Sequence, residues 1–283
     1  MLKCLHITSD FEVSTKSTYI LKNLDFIRQK AEEVEQAQKE QALERIKSRP
    51  VKPTDEVVES NALARAEYRM TANENRLLKV AVSKLDSSLA DADHLQDIPI
   101  TAQEFVALFE TEPKNAYRDM AEASTRLLSR KITVSDEKQK ITYNLLTQVA
   151  YRKHEGTVVI TLNPRLAVHL IGLRDKFTRM IFEEGFSKLK LFSSQRLYEI
   201  MKSIESQGHY EISLDAFKAR VLADPKKYKR FADLKKRVLE PALAEINTLT
   251  DIQVNYEPVR ESRKIKRIRF TIRPNKQNNL ELT

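Results

Sequence analysis

The feature that most narrows what this chain can fold into is that it repeats itself. Residues 100–105 (ITAQEF) are matched by residues 212–217 (ISLDAF), 112 positions further on. Each segment reads as a short strand, then Thr101 or Ser213 placed to cap a helix, then Phe105 or Phe217 turned to a core. Tyr117, Met120 and Ile132 match Phe231, Leu234 and Ile246 at an offset of 114. KITV (residues 131–134) and IQVNY (252–256) then supply β-rich sequence, followed by ITYNLL (141–146) and IKRIRFTI (265–272). Strand, helix, turn, helix, hairpin thus occurs twice, which is the winged-helix order. The expected fold is α+β, mostly helical: two tandem domains, each a helix-turn-helix with a β-hairpin wing.

Each copy needs an opening helix. Thr71-Ala-Asn-Glu74 has the pattern of a capping box, and Leu78, Ala81, Val82 and Leu85 follow at helical spacing. In the second copy Ser193-Ser194 can cap a helix whose apolar side is Leu197, Ile200, Met201 and Ile204. The first domain is therefore expected over 59–165, the second over 166–275, and a short tail over 276–283. Residues 86–97 read as a loop. Residues 1–58 read as an extension: helical composition over 24–47, then a break where Pro50 and Pro53 cannot share a helix. A length of 283 residues suits two such domains.

Composition removes several function classes. No run of 18 apolar residues exists, and the N-terminus lacks the apolar stretch of a secretory signal. A cytoplasmic protein with no membrane partner is expected. Cys4 is the sole cysteine, so no internal disulfide and no paired-cysteine zinc site can form. The glycines (Gly156, Gly172, Gly185, Gly208) are scattered and form no phosphate-cradling loop. The histidines (His6, His94, His154, His169, His209) form no cluster of the kind a metal-dependent nicking enzyme uses. Asp91, Asp93 and Asp97 lie in a Ser/Ala/Asp-rich stretch that reads as a solvated turn sooner than a metal site. No enzyme activity and no cofactor are expected.

The net charge is +9, and it is unevenly spread. Residues 28–59 hold seven basic and eight acidic side chains, whereas 258–276 hold eight basic and one acidic. Residues 224–240 hold seven basic and three acidic. On a helical wheel Phe231, Leu234, Val238, Ala242 and Ile246 fall in one arc, with Lys229, Asp233, Lys236, Arg237 and Glu240 opposite and Arg230 at the margin. Lys235 falls inside the apolar arc, which simple amphipathicity does not explain. Such a charged face is as readily a solvated surface as a ligand site. The adjoining hairpin tips the balance. Ile268, Phe270 and Ile272 alternate with Arg267, Arg269, Thr271 and Arg273, and the connecting loop adds Arg260, Arg263, Lys264 and Lys266. With Lys227 ahead of the helix, these residues form a continuous basic surface suited to phosphates and guanine edges. Exposed aromatic stacking platforms are lacking, which favours double-stranded DNA over single strands. In the first copy Lys114, Asn115 and Arg118 sit where a helix would enter a groove. Packing of that domain on another subunit is an equally good reading.

Four stretches resemble the initiator replication (Rep) proteins of theta-replicating, iteron-bearing bacterial plasmids. They are RMTANENRLLKVAVSKL (69–85), the segment from Phe177 through LFSSQRLYEIM to Met201, FADLKKRVLEPALAEIN (231–247) and TDIQVNYEPVRESRKIKRIRFTI (250–272). The resemblance runs from about residue 61 to 274. It implies two winged-helix domains and binding of a monomer to direct repeats at an origin. It also implies recruitment of a host initiator and the replicative helicase. A dimer formed through the first domain would occupy an inverted repeat and repress the initiator's own gene. The family's base-reading helix maps to Lys229, Arg230, Lys236 and Arg237. The first 58 residues depart from the family pattern. A winged-helix repressor with no part in replication is the alternative.

Overall fold

The computed structural model describes residues 26–34, 36–37, 40–41, 44, 49–85, 95, 97–135 and 138–275. Residues 26–34 are helical (α1). The chain from Lys47 onward forms one unit, separate from what precedes it. Most of the expected loop over 86–97, with Asp91 and Asp93, and the tail over 276–283 fall outside the described residues.

In that unit the elements run β1 (Glu56–Ser60), α2 (Asn61–Ala64), β2 (Glu67–Tyr68), α3 (Ala72–Ser83), β3 (Ile98–Thr101), α4 (Ala102–Phe109) and α5 (Pro113–Leu128). They continue as β4 (Lys131–Ser135), β5 (Lys140–Asn144), β6 (Leu146–Arg152), β7 (Thr157–Leu162), α6 (Ala167–Leu170) and β8 (Phe177–Ile181). The second half holds α7 (Phe192–Lys202), β9 (His209–Ser213), α8 (Leu214–Val221), α9 (Phe231–Leu234), a π turn (Lys235–Leu239), α10 (Glu240–Leu249), β10 (Ile252–Glu261) and β11 (Lys264–Pro274). No helix among the described residues is long and apolar enough to cross a membrane.

The capping chemistry works as written in the sequence at α3, α4 and α8, but not at α7, which begins at Phe192 with no side-chain cap and takes Ser193 and Ser194 into the helix. Thr71 accepts from the Glu74 amide while Glu74 receives the Thr71 amide, and Thr101 and Glu104 repeat the exchange at α4. Ser213 caps α8 from the Ala216 amide. Phe105 and Phe217 are both buried. In the second copy β9, the strand before the helix-turn-helix, pairs with β11, giving the order β10-β11-β9. The first copy has the same three-stranded sheet in the order β6-β7-β3. Two winged-helix domains are therefore present.

The first wing is not where the repeat placed it. KITV and the ITYN part of ITYNLL form β4 and β5, which pair with β2 in a separate sheet. The hairpin equivalent to β10–β11 is β6–β7, one hairpin later. The offset of 114 also fails at its last member, since Ile132 lies on β4 and Ile246 in α10. Both errors have one cause: an inserted hairpin with the alternation of a wing but pairing to another strand. The two-residue β2 is too short to show in the sequence.

Residues 51–58, which read as extension, belong to the folded unit. β1 pairs antiparallel with β8, Val51 and Val57 are buried, and the Val51 amide donates to Glu104 at 2.8 Å. Pro50 and Pro53 therefore do not mark the edge of the domain: the Val51 amide between them is held by Glu104 of α4. Glu59 of β1 is buried and pairs with Lys79 of α3 at 2.7 Å. Deleting through Glu59 strips a carboxylate from a buried ammonium, a loss of about 3–5 kcal/mol. A truncation starting at Lys47 is expected to melt with the full chain. One starting at Ser60 is expected to melt roughly 6–20 °C lower by calorimetry.

Candidate nucleic-acid interface

The second helix of the second helix-turn-helix is interrupted on purpose. Pro241 has no N–H to give the Arg237 carbonyl, and its ring presses on that carbonyl in an α-helix. The five-residue π turn Lys235–Leu239 just upstream absorbs the conflict by inserting an extra residue. A uniform helical wheel therefore misplaces what precedes it. Lys235 is exposed instead of lying in the apolar arc. Tyr256 on β10, and then Glu240, hold its ammonium above the ordinary lysine value. Leu234, Val238, Leu239, Ala242, Leu243 and Ile246 are buried as the apolar face.

The helix and the wing form one surface. Asn247 of α10 donates to the Val254 carbonyl at 3.0 Å and accepts from the Val254 amide at 2.7 Å. That bidentate clasp ties the start of β10 to α10. In the hairpin, Ser262 and Arg263 both take left-handed backbone (φ 48° and 71°), a two-residue turn that matches the strand twist. Val259 pairs with Arg267 and Arg260 with Ile265, so Lys266 is the extra residue of a bulge that bends the tip. Ile268, Phe270 and Ile272 are buried while Arg267, Arg269, Thr271 and Arg273 are exposed, as the alternation predicted.

The basic residues divide into two groups by their ion pairing. Lys227, Lys229, Lys236, Arg237, Arg260, Arg263, Lys264 and Lys266 are exposed, and none has an ion-pair partner among the described residues. Arg230 pairs loosely with Asp233 at 3.9 Å, and Arg267 and Arg269 are both held by Glu211 of β9. The free cations cluster on the loop before α9, the π turn and the hairpin tip. No group of three potential metal-binding side chains occurs among the described residues.

The first domain is built differently. Lys114, Asn115 and Arg118 lie in the first turns of α5, which begins at Pro113 after the left-handed Glu110. Lys114 and Arg118 are exposed and Asn115 half-buried; Arg118 pairs with its neighbour Asp119 at 3.2 Å. Arg126, in the last turn of the same helix, and Arg130, just past its end, are committed inward to Glu74 at 2.8 and 2.9 Å. Sequence reasoning missed the true wing tip. Arg152, Lys153 and His154 are exposed between β6 and β7, ahead of Gly156 in left-handed backbone. The signal was present: alternation in TQVAYR and TVVITL on either side of a glycine turn.

Comparison with known proteins agrees with this architecture. The family model described as "Initiator Replication protein, WH1" matches residues 56–202, and "Initiator Rep protein, WH2" matches 213–272. The chain is 25% identical over 231 residues to the PI protein of Escherichia coli, spanning 69% of this chain and 75% of that protein. It is 24% identical over 212 residues to an uncharacterised 27.6 kDa protein of Escherichia coli, spanning 71% of this chain and 88% of that one. Its fold matches the crystal structure of the Pi initiator protein in complex with iteron DNA. The TM-score is 0.66 at 21% identity, over 80% of this chain and all of that one.

The commitment of Arg126 and Arg130 to Glu74 has a measurable consequence. Burial pushes the Glu74 carboxyl up, but hydrogen bonds from Arg130 and Arg126 outweigh it and hold it below its ordinary value of 4.5. A depressed carboxyl stabilises the fold above its unfolded pKa, and that stability is lost as pH falls through the folded value. Glu74→Gln is therefore expected to lower the melting temperature at pH 7. The gap from wild type should close as pH falls below about 4, in melts across pH.

Proposed function

The chain belongs to the initiator replication protein family, and on that footing we propose that it starts plasmid replication by binding repeated double-stranded sites at the origin. The observation that carries this reading is the single surface of unpaired cations formed by the π turn, the preceding loop and the wing of the second domain. Lys236 and Arg237 stand on the exposed side of a helix of the width a major groove admits, where Arg and Lys bond guanine edges. The hairpin tip would meet the flanking backbone, where contacts fix register and carry no sequence. The second domain is thus the main reading domain. Lys114, Asn115 and Arg118 would enter a second groove about one helical turn away, with Arg152, Lys153 and His154 on the phosphates beside it.

In this reading the monomer uses both domains on a direct repeat. A dimer made through the first domain would use only the second domain of each subunit on an inverted repeat, repressing the initiator's own gene. Binding energy from several occupied repeats would offset the cost of bending and opening the duplex. A host initiator and the replicative helicase would act on the opened DNA. No chemistry by this chain is required, and it would work in the cytoplasm.

Two expectations follow from these assignments. Lys236→Ala or Arg237→Ala should weaken cognate binding by about 1–3 kcal/mol and erode discrimination against random duplex. Arg263→Ala and Lys264→Ala should weaken all sequences alike, flattening the salt slope by about 0.9 each. Equal losses on cognate and random DNA for all four would refute the groove assignment. The Lys114→Ala/Arg118→Ala double variant should reduce direct-repeat binding far more than inverted-repeat binding, with sedimentation fixing the oligomeric state on each DNA. An equal fractional loss on both would rule out the division between domains.

A further inference from the structure

Two of the wing's arginines already hold an anion, and that anion is part of the protein. Glu211 stands opposite Arg269 in the β9–β11 register. One of its carboxylate oxygens accepts from Arg269 Nε at 3.0 Å and lies 2.9 Å from Arg269 Nη2, and the other lies 3.1 Å from Arg267 Nε as an ion pair. Arg267 Nη2 reaches Glu261, near the hairpin tip, at 3.1 Å. Two guanidinium groups converging on one small anion is also how arginines hold a phosphate.

The cluster is on the surface, with Glu211 30% and Arg267 and Arg269 45% and 53% exposed at their side chains. Ion pairs this exposed contribute little to stability. The alternation of β11 already fixes the strand by burying Ile268, Phe270 and Ile272. The fold therefore does not need Glu211. Electrically it matters more. Arg267 and Arg269 face Glu211 and Glu261, so these four charges cancel. At the tip, residues 260–266 carry Arg260, Arg263, Lys264 and Lys266 against Glu261, a net +3.

We infer that Glu211 is a built-in competitor for DNA phosphate that masks Arg267 and Arg269 and so sets the affinity and salt dependence of the wing. This rests on the DNA-binding reading above. A phosphate approaching either arginine meets the Glu211 charge or must displace it. Binding is then weaker than the count of basic residues implies. The tip makes the first, unmasked contacts, and the body of the wing engages only where the duplex is held close enough to compete.

The test uses the full chain with Glu211→Gln, which keeps the side chain's size and removes its charge. Cognate and random duplexes are titrated between about 50 and 200 mM salt. Affinity for both should rise about tenfold at the lower salt, and the slope should steepen by about 0.9 for each phosphate newly neutralised. In an Arg267→Ala/Arg269→Ala background the same change should raise affinity by no more than about threefold, the residue of general charge. Unchanged affinity and slope in Glu211→Gln overturns the inference. So does an equal gain in both backgrounds, which would make Glu211 one surface charge among many. Failure of the wild-type chain to bind any duplex would instead refute the DNA-binding reading itself.

Discussion

Everything in the folded unit hangs on four charges buried together between its two halves. Lys79 of α3 is fully buried, bonded to both oxygens of Glu59 at 2.7 and 2.8 Å and to Glu199 of α7 at 3.2 Å. Arg196 closes on Glu199, stacks on Tyr68 at 3.9 Å, and donates to the Ala64, Ala66 and Arg220 carbonyls. Two cations face two anions, so the cluster is neutral. Burial still pushes the Glu59 carboxyl up, with Lys79 opposing it. Such a cluster adds little net stability over an apolar core of the same shape. What it imposes is an arrangement, because any displacement leaves a charge in the interior without its partner.

The cluster also exposes the duplication more plainly than the surface does. NRLLK at 75–79 and QRLYE at 195–199 occupy equivalent positions in the opening helices of the two domains. Equivalent residues meet across the junction. Asn75 donates to Gln195 at 3.2 Å, and Lys79 pairs with Glu199. Asn75 also donates to Glu199 at 2.7 Å, while Arg76 and Arg196 each reach across to backbone carbonyls of the other half. The two domains meet through the same face, as subunits of a symmetric dimer do. One member of the pair has become acidic and the other basic, which commits the two copies to each other. The spacing between the helix-turn-helix units is thereby set by the interior and not by a flexible linker.

Much of this was legible and some was hidden for identifiable reasons. Capping is local, so Thr71/Glu74, Thr101 and Ser213 marked their helices correctly. Burial with period two is local as well, and it placed Ile268, Phe270 and Ile272 inward. What failed was pairing at a distance. Nothing in KITV or ITYN says that β2 will claim them, and nothing in residues 51–58 says that β8 and Glu104 will. The ion pairs were equally hidden. Arg126, Arg130, Arg267 and Arg269 look like free cations in sequence, and only the fold brings Glu74 and Glu211 to them. Pro241 was a readable warning that a uniform wheel would misplace Lys235.

Counting basic residues therefore overstates the field this surface presents. Charges that converge with a carboxylate have already been neutralised, whatever the net total, and the remaining field comes from those left alone. In the second domain these include the loop before α9, the π turn and the hairpin tip; in the first domain Lys114 and Lys153 are comparable, while Arg152 pairs with Glu155 at 3.5 Å. The difference follows from position. Arg126 in the last turn of α5 and Arg130 just past it lie within reach of the Glu74 of the α3 capping box. Lys236 and Arg237 sit where the extra residue of the π turn lifts the helix surface, and no carboxylate pairs with them there. The distortion at Pro241 thus leaves two exposed, unpaired cations, Lys236 and Arg237, on the π turn of the helix that packs on the wing.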